Sequence, residues 1–362
     1  MTHGLTIQDK TSGPRPVLDP SLAVIGLIAT ATAASAIAAF PLNTPVLVSN
    51  INNAISDAGD GGTLKPALEA IADQITPIII VVRVDEDADQ ATQDANVIGT
   101  IANNEFTGLQ ALANAEAVVG VRPRILGCPG LDNATVTAQM VVAAQQLRAM
   151  AYCSAVGADI AAAIVYRDTF GAKELMLFWP ETTGASKADT IARALGLRAK
   201  IDEQQGWHKT ISNVAINGVT GISKDVYFDL MDPSTDAGVL NDNEITTIVR
   251  NNGFRFWGNR TSSDVPEYAF ESAVRTSHAL KDILAEIVQP FMDAPMTVSL
   301  VRDMLESFNA KCRQLVADDK IVGAKAFFDA DDNEATALAQ GRPKFRLEFS
   351  QVLLVGLSSS GC

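Results

Sequence analysis

Nucleophilic, acid–base and metal chemistry draw on histidine, cysteine and closely spaced carboxylates, and this chain is poor in the first two. Its 362 residues hold three histidines (His3, His208, His278) and four cysteines (Cys128, Cys153, Cys312, Cys362). The cysteines lie far apart with no C-x-x-C spacing, which excludes a zinc knuckle and a small disulfide scaffold. His208, between Trp207 and Lys209, is the one candidate general base. No acid or nucleophile is fixed relative to it in sequence, so a packed or exposed histidine is the better reading. Gly184-Ala185-Ser186-Lys187-Ala188 lacks the second glycine of a nucleophile elbow. Gly218-Val219-Thr220-Gly221-Ile222-Ser223-Lys224 has the wrong spacing for a phosphate-binding loop. Gly59-Asp60-Gly61-Gly62 does not complete a dinucleotide fingerprint and reads as a surface turn. Asp329-Ala330-Asp331-Asp332-Asn333-Glu334 begins like a calcium loop, but Glu334 stands where the turn glycine belongs and Gln340 where the bidentate acid belongs. It reads as a solvated acidic loop. Two glycosylation sequons, at Asn133 and Asn259, carry no meaning without a secretory signal. The expectation is therefore no catalytic residue, no cofactor site and no metal site.

Elements able to position such groups must come from a sizeable core. Hydrophobic residues make up 47% of the chain and charged residues 19%, with a mean hydropathy of +0.14. That is too apolar for a disordered chain, and the length suits two domains at ~150 residues each. Twenty-eight basic against 42 acidic side chains give a net charge of −14. Because phosphate neutralisation dominates nucleic-acid affinity, a nucleic-acid partner is not expected. Residues 246–348 are nearly balanced, with 13 basic and 15 acidic side chains, so the rest of the chain carries −12. A solvated acidic body with a less charged contact region suits an oligomer.

Ser21 to Phe40 is uncharged and of membrane-spanning length, with Ala34-Ser35-Ala36 resembling a leader-cleavage site. Asp9 and Asp19 precede it where a leader is basic, and its second half is Ala, Thr and Ser. A buried strand over Ala23–Ile28, followed by an Ala-rich surface stretch, is expected instead. No membrane insertion is expected, and the cytosol is the default compartment.

Residues 1–20, broken by Gly13, Pro14, Pro16 and Pro20, read as an arm. Strand-like Pro45–Val48, Pro77–Val84, Arg124–Leu126 and Leu175–Trp179 alternate with helical patterns at Leu64–Ile75, Leu109–Ala115, Thr135–Met150 and Ser186–Gln204, with a further element at Ala161–Val165. Pro77–Val84 lacks alternation, the mark of a strand covered on both faces. A layered α/β domain is predicted over residues 21–245. Two amphipathic helices, one ending near Val288 and one over Val298–Val316, dominate a smaller α+β domain at 246–349. Lys344–Phe349 alternates strictly, as an exposed or donated strand does, leaving 350–362 as a short tail.

Five stretches are more particular than composition requires. They are Ala23–Leu27, Phe40–Leu47, Arg122–Gly127, Gly218–Gly221 and Gly253-Phe254-Arg255-Phe256-Trp257-Gly258-Asn259-Arg260-Thr261, with His3-Gly4 and Leu338-Ala339-Gln340-Gly341 near the ends. In this order they resemble the tail sheath proteins of contractile bacteriophages, in particular the P2-like family shared with R-type pyocins. The resemblance spans about residues 3–349. It implies a non-enzymatic homo-oligomer: a helical sheath around the tail tube protein, working with baseplate and tail terminator proteins, assembled in the host cytoplasm and carried in the virion tail. Contraction then drives the tube through the host envelope. It equally suits the sheath of a genome-free contractile bacteriocin or injection system. The resemblance further implies that the C-terminal domain faces the tube and that terminal arms exchange strands with neighbours. By position, Arg302, Lys311 and Arg313 are candidates to meet an acidic tube. Phe345, Leu347 and Phe349 are candidates for strand exchange. Gly253, Phe254, Arg255, Trp257, Gly258, Asn259 and Arg260 are the signature, read as a hinge or packing cluster. One departure is that family members follow the last strand with a Pro-Pro-Glu segment and a further arm, whereas Ser350–Cys362 has no Pro-Pro; an atypical tail is expected.

Overall fold

Runs of consecutive aliphatic residues become the strands of one sheet covered on both faces. The computed structural model describes residues 21–184, 189–292, 294, 297–329, 333 and 344–351. These form two compact units, Ser21–His278 and the residues from Ala279 on.

The larger unit opens with β1 (Ile25–Thr30), α1 (Ala34–Ala39), β2 (Val46–Val48), α2 (Ile51–Ala58), α3 (Leu64–Ala72) and β3 (Ile79–Val84). There follow α4 (Gln90–Ile98), a small hairpin of β4 (Ile101–Ala102) and β5 (Glu105–Phe106), α5 (Gly108–Ala113) and α6 (Ala115–Val119). Next come β6 (Ile125–Gly127), α7 (Ala134–Leu147), β7 (Met150–Ser154), α8 (Ile160–Arg167), β8 (Leu175–Phe178), β9 (Thr182–Thr183) and α9 (Asp189–Gln204). The unit continues through β10 (Gly221–Ile222), α10 (Asp236–Asp242), β11 (Ile245–Arg250) and β12 (Phe254–Trp257) into α11 (Glu271–Val288). From Ala279 on, the second unit holds the rest of α11, then α12 (Val298–Ala317), β13 (Ile321–Phe327) and β14 (Arg346–Gln351).

Eight strands run in the order β12-β11-β8-β7-β6-β1-β3-β2. The six from β11 to β3 are parallel, and β12 and β2 are antiparallel edges. Alternate residues of the central strands feed two cores. Ile25, Leu27, Ile79, Val81, Tyr152 and Phe178 face one, with residues of α2, α3 and α9. Ile28, Ile80, Val82, Leu126, Leu175 and Leu177 face the other, with residues of α4, α5, α7 and α8. This is the layered α/β architecture that alternating strands and helices predict.

The structure corrects several boundaries. The uncharged Ser21–Phe40 run is a fully buried β1 plus α1, and no helix among the described residues is long and apolar enough to cross a membrane. The helix expected over Thr135–Met150 stops at Leu147, because Arg148 adopts the left-handed region and Met150 starts β7. The boundary expected at residue 245 falls inside the sheet: Ile245–Arg250 pairs parallel with β8 and antiparallel with β12. The larger unit therefore runs to His278. The arm at 1–20, the proposed cap Ser186, Leu338–Gly341 and the tail beyond Gln351 lie outside the described residues.

Candidate assembly surfaces

In open parallel sheets, ligands bind beyond the strand carboxyl ends where the strand order reverses. That place lies between β1 and β6, and a turn of the chain is fastened to the end of β1. The Gly59–Gly62 turn is more than a surface loop: Thr63 N–H donates to Thr30 O (2.9 Å), and Thr30 N–H donates to Thr63 Oγ1 (3.1 Å). A Cβ on Gly62 would stand 2.3 Å from Thr30 O, so only glycine lets the turn close there. Beside it, Asp132 accepts the Ser154 N–H, and burial pushes the Cys128 and Cys153 thiols well up. Such thiols are poor nucleophiles. His208 is buried against Trp207, edge to face at 5.7 Å. No cluster of His, Cys, Asp or Glu fit for a metal occurs among the described residues. Asn333, in the calcium-like loop, spends its side chain on Asp329 O (2.8 Å), Lys344 O (2.9 Å) and Lys344 N (2.7 Å).

The Gly253–Thr261 block is a packing device. Phe254–Trp257 is edge strand β12, and a loop covers its outer side: Asn213 N–H donates to Phe256 O (2.7 Å) and Ile216 N–H to Phe254 O (2.9 Å). Arg255 fastens the same loop, donating from Nη1 to Asn213 O and from Nε to Asn251 O, both 2.9 Å. Phe256 is buried edge-on to Phe178, and Trp257 meets Phe228 at 4.7 Å. Gly258 has φ +132°, and a Cβ there would lie 2.9 Å from Thr246 Cα. Arg260 lies over the Phe270 ring, and Asn259 O accepts the N–H of Glu271 at the start of α11. Gly253, at φ +98°, turns the hairpin.

That helix start leads to a cluster sequence reasoning missed. Arg198 and Asp202 on α9 and Glu271 and Arg275 on α11 are all buried. Arg198 Nη2 donates to Asp202 Oδ1 (2.8 Å), and Nη1 donates to Glu271 Oε2 (3.2 Å) and Lys209 O (2.6 Å). Arg275 Nη2 donates to Asp202 Oδ2 and to Leu22 O (3.1 Å). Tyr152 Oη, from the middle of the sheet, donates to Glu271 Oε1 (2.6 Å). Burial opposes the Arg198 charge, but Asp202, Glu271 and Tyr152 outweigh it and hold the guanidinium charged. Two cations against two anions leave the cluster neutral. The available signal was two pairs of opposite charge at i, i+4 spacing, Arg198–Asp202 and Glu271–Arg275.

In the second unit, β13 and β14 form a two-stranded antiparallel ribbon with Ala326 opposite Leu347 and Ala324 opposite Phe349. Phe345 packs on Phe328 at 5.6 Å. Phe345, Leu347 and Phe349 are half-buried, and Arg346, Glu348 and Ser350 are exposed between them. The expected exchange strand is thus paired within its own chain along one edge. No other described strand pairs with either outer edge of the ribbon. On α12, Arg302 and Arg313 are exposed, alongside Asp303 and Glu306. Lys311 is not a surface cation: it is 8% exposed, in the stripe of Met304, Phe308, Cys312 and Leu315, with Nζ 3.5 Å from Gln314 Oε1. Its place three residues after Phe308 puts it on the apolar face.

The comparisons with known proteins agree with this geometry. Residues 23–84 match the family profile described as tail sheath protein Gp18 domain III N-terminal region, and residues 104–262 match the phage tail sheath protein central domain. The chain is 44% identical to the tail sheath protein of Escherichia phage P2, over 97% of this chain and 92% of that one. It is 42% identical to the major tail sheath protein of Serratia phage KSP20, with the same coverage. Among solved structures, the helical sheath of the anti-feeding prophage in its contracted state superposes with a TM-score of 0.73 at 15% identity, covering 99% of this chain and 98% of that one. The chain belongs to the phage tail sheath protein family.

Proposed function

We propose that the protein is the structural subunit of a contractile tail sheath. It polymerises helically around a tail tube in the virion tail, after assembly in the host cytoplasm, and its contraction drives the tube through the host envelope. Baseplate and tail terminator proteins bound the polymer. The observation that carries this reading is the 44% identity to a phage tail sheath protein along nearly the whole of both chains. The turn fastened to the end of β1 and the buried thiols suit a structural role. The ribbon supplies the means of linkage: an unpaired strand edge is a template for an extended segment of another chain. Each added main-chain hydrogen bond contributes only ~1 kcal/mol, but a heterologous, non-closing contact repeats it along a filament. Arg302 and Arg313 are the remaining candidates to meet the tube, and their surface is mixed in charge rather than basic.

Negative-stain microscopy of the purified protein with its tube protein tests the proposal. Striated tubules of uniform width are expected, and only compact particles under every condition would overturn it. A second reading, the sheath of a genome-free injection system, is favoured by the likeness in fold to the anti-feeding prophage sheath. Neighbouring capsid and terminase genes would decide for a phage.

A further inference from the structure

Two chain segments lead out of the Ser21–His278 unit: one enters it at Ser21, the other leaves it along α11 after His278. Both are fastened to one side chain. Arg275 Nη2 holds the carbonyl of Leu22, the second residue of the unit, while Arg275 itself sits in α11, three residues before the unit ends. The guanidinium also pairs with Asp202, which pairs with Arg198, which binds Glu271 and the Lys209 carbonyl. Tyr152 ties Glu271 to β7, in the middle of the sheet. We infer that this buried cluster is a mechanical anchor, where load arriving through the N-terminal segment and load arriving through α11 meet and pass into the sheet and α9.

The chemistry suits that task. Charge-assisted hydrogen bonds are short and directional, so a small displacement breaks them, whereas apolar contacts slide. Burial removes water as a competing partner, so an arginine pulled off its carboxylate has nothing to bind in its place. Arg198 and Arg275 together offer their donors to two carboxylates and two main-chain carbonyls, so the cluster joins backbone to backbone and not merely side chain to side chain. In a filament whose subunits are linked through their terminal segments, both links of each subunit would pull on this point.

The inference rests on the sheath reading only for the origin of the load. The coupling itself is a property of the single chain and is tested there. The variant D202N/R275M keeps the cluster neutral, with Arg198 and Glu271 still paired, and is designed to fold. Hydrogen exchange on the dispersed full chain should then show the amides of Ile25–Leu27 and of Arg275–His278 exchanging at least tenfold faster together, with Met140–Leu147 in α7 unchanged. Faster exchange in only one of the two segments, or a uniform rise along the chain, overturns the shared anchor. In tubules, the variant should assemble but show at least threefold more broken sheaths after contraction is triggered; intact contraction at the wild-type frequency also overturns it. Failure of the wild type to form tubules would sink the sheath reading and leave the exchange result to stand.

Discussion

Cys128, Cys153 and Cys312 are buried, and burial pushes the Cys312 thiol up to about 11. At pH 8 that leaves roughly one thiolate in a thousand, and the thiolate is the reactive form. Iodoacetamide at pH 8 should therefore leave these three unmodified in the folded chain and modify them on unfolding, as read by peptide mass spectrometry. Rapid native modification of Cys312 would mean that α12 opens readily. Gly258 is a second single-residue test. A side chain there must accept φ +132° and meet Thr246 Cα at 2.9 Å. Gly258→Ala should cost about 1–3 kcal/mol, the range for a strained backbone position, visible as a lower urea midpoint with an unchanged slope. The signature glycine was legible in the sequence as part of a specific block, but its steric reason was not, because the close approach comes from β11, the neighbouring strand. The ionic cluster was illegible for the same reason: Arg198 and Glu271 are 73 positions apart, and nothing local says that two polar side chains share a dry site.

Elements were legible where a single pattern decided them. Ile79–Val84 is β-branched at every position but Arg83 and is buried along its whole length. By contrast, Met150–Ser154 contains no β-branched residue and follows a helix without a glycine or proline to mark the stop, so the helical pattern runs on to Met150 and β7 leaves no signal of its own. The apolar run of β11 was assigned to the wrong side of a domain boundary because a parallel pairing with β8 leaves no mark on either strand. On α12 the apolar spacing is legible, but the position of the helix makes Lys311 a tube-contact candidate although its spacing from Phe308 puts it on the buried face. The consequence is testable at this scale. R302E/R313E should weaken co-sedimentation with the tube protein, whereas Lys311→Met should leave it within twofold of wild type. Loss of tube binding in Lys311→Met, with the melting temperature unchanged, would restore Lys311 as a contact residue. Phe308→Ala, in contrast, should cost about 3–5 kcal/mol by leaving a cavity under the helix, and its tube binding should fall only in proportion to the unfolded fraction.

At the scale of the whole molecule, the net charge of −14 sets a sign for assembly. Subunits that carry this charge repel as they approach, and the repulsion acts over the screening length, about 30 Å at 0.01 M salt and about 8 Å at 0.15 M. Linkage by main-chain pairing at strand edges and by apolar contact is nearly insensitive to salt, so raising ionic strength removes a cost without removing the attraction. The critical concentration for tubule formation should therefore fall as sodium chloride rises from 20 to 200 mM, measured by sedimentation across a protein dilution series. A filament held mainly by ion pairs between subunits would behave in the opposite way, its critical concentration rising over the same interval. The distribution of charge favours the first outcome: the region over residues 246–348 is close to neutral, and the excess acid sits in the remainder of the chain. A rising critical concentration would place the assembly energy in charged contacts and remove the ribbon edges as the principal linkage.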